Sequence, residues 1–208
     1  YNQHYLQHLV PRSVAERIHC LYVGLNLQLF PPDMPVPTGN APLIFAVSRL
    51  VEKKGLFYLV SACGLLKEQG YNFRCRIVGD GPQRPLLEET ICNLGLNDYV
   101  ELPGPAAHEQ VIEMYQQATI VALPCMIGRD GDRDGIPNAL MEALYMQIPV
   151  VSTPVSGIPE LISDDKNGLL VPPQNSPALA AALARLLDDP SLCRRLGTAG
   201  RETIRERF

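Results

Sequence analysis

A chain of 208 residues, 46% hydrophobic and 19% charged, is long enough to bury one large core or two small ones. Its net charge of −4 comes with scattered Lys and Arg, which removes the basic footprint that nucleic acid or an anionic membrane surface demands. No apolar run approaches the roughly 20 residues of a membrane span, and the opening YNQHYLQHLVPR has neither a secretory apolar region nor an initiator Met, so a piece of a longer protein is expected.

In chain order, Tyr1 to Val10 reads as helix and is closed off by Pro11. IHCLYVG (18–24) is apolar and β-branched and predicts a first strand, followed by the Pro-rich linker QLFPPDMPVPTGNAP (28–42). Further buried strands are expected at PLIFAVSR (42–49), FRCRIVG (73–79), YVELPG (99–104), TIVALP (119–124) and IPVVST (148–153). Helical patterns lie between and after them, at about 55–69, 82–94, 107–117, 137–146, 157–163 and 177–188, and a charged helical tail fills 191–208. Strands alternating with helices predict a Rossmann-like α/β/α architecture of three layers around a central parallel sheet of about six strands. Six cysteines lie far apart with no C-x-x-C pair, so buried free thiols in a reducing compartment are expected. His4 and His8 lack the glutamate of an H-E-x-x-H pair, and His19 and His108 stand alone as surface or core histidines.

In open parallel sheets ligands bind beyond the carboxyl ends of the strands, so the turns there carry the function. GDGP (79–82) begins a dinucleotide fingerprint but has Arg84 where the third glycine belongs, so a tight turn with Pro82 opening the helix is expected instead of a NAD or FAD site. SRLVEKKG (48–55) places Arg49 after a strand and Lys54 before Gly55, a fork and a point charge suited to a diphosphate; alone, such residues read as well as solvated surface charge.

The run DGDRDGIPNALMEAL (130–144) opens like a calcium loop, yet Met141 stands where the ligating Glu is due and Pro137 starts a helix inside the would-be loop. No metal is expected there. With Pro137 as first helical residue and Ile136 as a cap lacking any side-chain acceptor, the amides of Asn138, Ala139 and Leu140 point forward as an anion site, unless water satisfies them. Asp134 before the helix and Glu142 inside its apolar face frame that site, and a buried Glu demands a partner.

Taken together, VSRLVEKKG, IVGDGP, the P-G turn at 102–105, MYQQATIVALPC, DGIPNALMEA, IPVVSTPVSGIPELI, NGLLVPP and the closing LLDDPSLCRRLGTAGRETIRERF resemble the donor-binding C-terminal half of retaining glycosyltransferases of the GT-B fold that carry an E-x7-E motif. The resemblance implies transfer of sugar from a UDP-, GDP- or ADP-sugar to an acceptor hydroxyl, with retention at the anomeric carbon, no cofactor and no bound metal. By position, Arg49, Lys54, Asn138, Ala139 and Leu140 would hold the diphosphate. Asp134, as the catalytic acid, with Gly135, Ile136 and Pro137 would meet the sugar, Glu142 the ribose, and Pro105 and Ala106 the base.

The same resemblance implies a domain plan: 1–16 the end of an N-terminal domain or an interdomain segment, 17–190 the donor domain, 191–208 a truncated helix. An acceptor sugar, lipid-linked sugar or other hydroxyl compound would be held by a domain ahead of Tyr1, in the cytoplasm or at the inner membrane surface, leaving this piece able to bind nucleotide but inactive alone. Departures from the family pattern are Asp134 for the usual Glu, Val23 and Asn26 in an N-G-x-D turn, Thr119 for Asp and Cys125 for Ser. The added loop IGRDGDRDG resembles members that build bacterial polysaccharides. Two other readings remain open at this point: a nucleotide-binding or interaction module that has lost catalysis, suggested by those departures, and a nucleotide-sugar epimerase of the same fold.

Overall fold

The computed structural model describes residues 2–31 and 41–208. Five of the apolar runs become strands: β1 (Leu43–Val47), β2 (Arg74–Val78), β3 (Val100–Gly104), β4 (Ile120–Ala122) and β5 (Val150–Ser152). A two-residue strand, β6 (Leu169–Leu170), completes a parallel sheet ordered β3-β2-β1-β4-β5-β6. Consecutive strands run outward from β1 to β3, and the chain then returns to pair β4 on the other side of β1. The order therefore reverses between β1 and β4, and a crevice opens there beyond the carboxyl ends of both.

Helices cover both faces, as side chains alternating across buried parallel strands require. They are α1 (Asn2–Leu9), α2 (Arg12–Ala15), α3 (Leu56–Glu68), α4 (Arg84–Asn93), α5 (His108–Gln117), α6 (Asn138–Tyr145), α7 (Ile158–Leu161), α8 (Ser176–Asp188) and α9 (Pro190–Arg207). Asn175 and Asp189 accept backbone N–H groups at the starts of α8 and α9, so these two helices are capped by side chains. In the core, Ile44, Phe45, Leu59, Ile77, Leu87, Ile120 and Leu140 are fully removed from solvent, each contributing about 1.5–3 kcal/mol of transfer free energy. Phe45 of β1 meets Tyr115 of α5 edge-on, with ring centroids 5.0 Å apart; that contact fixes a ring whose hydroxyl reaches the site described below.

Three expectations are corrected. The run at 18–24 is not a strand: Leu21 is 91% and Val23 68% exposed, and none of these residues pairs with the sheet. A β-branched run becomes a strand only by pairing with a sheet edge, and this one lies elsewhere, where Tyr22 donates to Glu160 at 2.7 Å and packs on Phe208. The helix after GDGP opens at Arg84, not at Pro82, because Pro82 and Gln83 form a turn and Gln83 caps α4. The thiols are all free, but only Cys63, Cys75 and Cys125 are buried, while Cys20 and Cys92 are exposed. Most of the Pro-rich linker, residues 32–40, lies outside the described residues.

Candidate donor site

The turn after β1 and the loop after β4 lie side by side because their strands pair, Ile44 with Ile120 and Phe45 with Val121. Gly55 makes the close approach possible. Its φ of +66° is left-handed, and a Cβ there would sit 2.0 Å from the carbonyl oxygen of Pro124. Gly79, in the turn after β2, has φ +135° and leaves the same kind of space for the carbonyl oxygen of Ser48. The glycines of GDGP thus serve the packing of neighbouring turns at the mouth of the sheet.

Across the crevice, Lys54 Nζ is 2.8 Å from Asp134 Oδ2, with both side chains about 15% exposed (14% and 15%). Lys53 Nζ bridges Asp132 Oδ2 at 3.0 Å and Asp134 Oδ1 at 3.6 Å, and Arg129 Nε pairs with Glu52 Oε1 at 3.1 Å. The hydrogen bond to Asp132 holds the Lys53 ammonium above its usual range and, in turn, the Asp132 carboxyl below its own. Asp130 accepts the N–H of Asp132 at 2.9 Å. The three aspartates of the run are therefore engaged by two lysines and a backbone N–H, and among the described residues no three His, Cys, Asp or Glu side chains converge as metal ligands. Beneath Asp134, burial and that carboxylate push the Cys125 thiol up to about 12. Arg49 is exposed at the same mouth, held by no hydrogen bond or ion pair among the described residues, and close enough to Asp132 to help lower that carboxyl.

Helix α6 starts one residue later than expected. Pro137 (φ −67°, ψ 126°) is its cap and Asn138 its first residue, with no side chain capping the end. The proline's fixed φ suits either position, and its extended ψ decides. The amide of Leu140 is not free, because it donates to the Pro137 carbonyl at 3.0 Å. Asn138 and Ala139 supply the forward amides, flanked by exposed Gly135 and half-buried Ile136.

Glu142 lies on the second turn of α6 with its side chain 14% exposed. Two partners stabilise it there: the Tyr115 hydroxyl donates to Oε2 at 3.0 Å, and His108 Nε2 lies 3.3 Å from Oε1. Burial and the neighbouring carboxylate raise the Tyr115 phenol well above its usual value, so it stays a donor. Pro105 and Ala106 lie in the turn that leads through Ala107 to His108, the first residue of α5 and a neighbour of Glu142.

Arg49, Lys54, Asp134, Gly135, the start of α6 and Glu142 are thus gathered at one mouth. Sequence reasoning passed over Lys53, Tyr115 and His108. Its nearest signal was Glu142 itself, an acid in an apolar helix face that required a partner.

A parallel sheet whose order reverses beside a basic turn, an acidic loop and an uncapped helix end defines a Rossmann-like α/β domain with its ligand crevice at the reversal. The chain belongs to the glycosyl transferases group 1 family, whose model matches residues 35–203. It is 47% identical over 170 residues to WcaL of Escherichia coli (strain K12), named as a colanic acid biosynthesis glycosyltransferase, covering 81% of this chain and 42% of that protein. Among solved structures it is similar to sucrose-phosphate synthase from Thermosynechococcus elongatus (TM-score 0.76, 29% identity, 89% of this chain and 47% of that one). A second is Anabaena Alr3699/HepE in complex with UDP and glucose (TM-score 0.77, 23% identity, 93% and 54%), a likeness of fold. The chain therefore spans less than half the length of WcaL and about half of each of these two structures. Among the described residues no helix is long and apolar enough to cross a membrane.

Proposed function

We propose that this chain is the donor-binding part of a retaining glycosyltransferase that takes a nucleotide-diphospho-sugar and, within a longer protein, passes the sugar to an acceptor hydroxyl. The observation that carries the reading is the meeting of Lys54 with Asp134 at 2.8 Å, four residues ahead of an uncapped α6. A cation, free helix amides and an acid stand where a diphosphate joins a sugar. As the bond from the anomeric carbon to the leaving oxygen breaks, negative charge grows on the β-phosphate. Arg49, Lys54 and the amides of Asn138 and Ala139 lie in position to stabilise it. Asp134, with Gly135 to Pro137, faces the sugar, Glu142 the ribose hydroxyls, and Pro105 and Ala106 the base.

Metal independence is part of the proposal, supported by the engagement of the three aspartates with Lys53, Lys54 and a backbone amide. Assembly of a bacterial polysaccharide in the cytoplasm or at the inner membrane surface is proposed from the name of WcaL and from the acidic loop. Bond formation needs an acceptor held in line, and that is assigned to the part of the relatives' length that this chain does not span. Named transferase relatives favour transfer over the inactive module and over the epimerase.

Calorimetry on the 208-residue chain tests donor binding. Micromolar to submillimolar binding of UDP or GDP, unchanged by EDTA, is expected. No heat at millimolar nucleotide, or a requirement for a divalent ion, counts against it.

A further inference from the structure

The turn before α3 is laced to the acidic loop residue by residue: Glu52 to Arg129, Lys53 to Asp132 and Lys54 to Asp134. Donor binding as read above uses Lys54 and Asp134 and leaves Lys53 without a role. Yet Lys53 is tied to this loop at both ends. Its carbonyl oxygen accepts the Met126 N–H at 2.8 Å, and its ammonium lies between two carboxylates of the same loop.

In the ligand-free chain Lys54 is committed to Asp134. A donor diphosphate brings more negative charge than one carboxylate and competes for that ammonium. When Lys54 turns to phosphate, Asp134, 15% exposed, would be left with the Cys125 thiol, 3.6 Å away, if Lys53 did not also stand 3.6 Å from it. A half-buried carboxylate without a counter-charge opposes the exchange. Lys53 is placed to prevent this. It has three donors. Its contacts to Asp132 Oδ1 and Oδ2 are 3.1 and 3.0 Å, and its 3.6 Å gap to Asp134 Oδ1 is ion-pair distance that can tighten into a hydrogen bond. Asp132 is a firm anchor for it, since the carbonyl oxygen of Asp132 accepts the Gly128 N–H at 2.8 Å and its own N–H is bound by Asp130.

We propose that Lys53 is a positioning residue: it takes over Asp134 as Lys54 moves to the donor diphosphate, and so keeps that acid on the sugar. The handover rests on the donor-binding reading, whereas the clamp on the loop stands on the ion pairs alone.

Two measurements separate them. In hydrogen exchange on the ligand-free chain, Lys53→Met should raise exchange at residues 128–134 by about tenfold or more, and Lys53→Arg should leave it near the original. In UDP titration, Lys53→Met surrenders Asp134 wholly to Lys54 and should weaken binding about five- to tenfold. The double variant Lys53→Met, Asp134→Asn should recover to within about twofold of Asp134→Asn alone, as coupled neighbours do. Unchanged exchange in Lys53→Met overturns the clamp. A double variant that binds UDP as poorly as Lys53→Met overturns the handover and makes Lys53 an ordinary phosphate contact. If the unsubstituted chain takes up neither UDP nor GDP, the donor-binding reading and the handover fall together, and the exchange result still decides the clamp.

Discussion

The Tyr115 hydroxyl lies 3.0 Å from both Glu142 Oε2 and the Ala139 carbonyl oxygen, which share its one proton, on a ring that is fully buried against Phe45. One rigid aromatic side chain of α5 therefore sets both the height of the α6 start and the direction of its acid. Tyr115→Phe removes a hydroxyl donor to a largely buried carboxylate, and we expect a loss of about 1–3 kcal/mol in urea denaturation. A loss below a few tenths would mean that water replaces the hydroxyl.

Glu142 is predicted to recognise the ribose. Glu142→Gln should weaken UDP about tenfold and 2′,3′-dideoxy-UDP hardly at all, because only the diol offers donors to the carboxylate. Equal losses for the two ligands in competition titrations would assign Glu142 to shaping α6 alone.

Arg49 is exposed and makes no hydrogen bond or ion pair among the described residues, so folding has little stake in it. Arg49→Ala should leave stability within about 0.5 kcal/mol while lowering nucleoside diphosphate affinity about tenfold or more, with a weaker dependence on salt. Calorimetry at two ionic strengths reads both effects.

Gly55→Ala places a methyl group against the Pro124 carbonyl oxygen at a left-handed φ of +66°. The strain and the displaced backbone should cost about 2 kcal/mol or more, and nucleotide binding should fall with stability because Lys54 is the preceding residue. Chemical denaturation with parallel titration checks the pairing of the two losses.

Cys125 carries a pH signature. Its thiol rises from 9.0 to about 12 on folding, through burial first and the Asp134 carboxylate second. Above 9.0 the unfolded chain has released this proton and the folded chain has not, so stability present below that value is lost as pH climbs toward about 12. Cys125→Ala should flatten the fall in stability between those limits. At mildly alkaline pH iodoacetamide should label exposed Cys20 and Cys92 and spare Cys125, as mass spectrometry of the native chain would record.

Much of the framework was legible because its causes are local. Runs such as Leu43–Val47 and Ile120–Ala122 are apolar throughout, which only a doubly covered parallel strand requires, and each is followed by a turn and a helix with its own spacing. The same logic misled at 18–24, where a strand-like run joins no sheet edge. It also passed over Leu169–Leu170, too short for any period to register. The α6 cap was misplaced by one residue because proline's φ is the same as cap and as first turn.

By itself, then, the amino-acid order determined that alternating elements would form a covered parallel sheet and that its turns would carry Arg49, Lys54, Asp134 and Glu142, since periodicity and turn chemistry are short-range. Which of those turns would meet was decided by the tertiary structure alone. The return of the chain to pair β4 with β1 joined Lys54 to Asp134, and the crossing of α5 behind them brought Tyr115 and His108 to Glu142. Such contacts depend on strand order and on the packing of helices over it, and no short-range pattern records either.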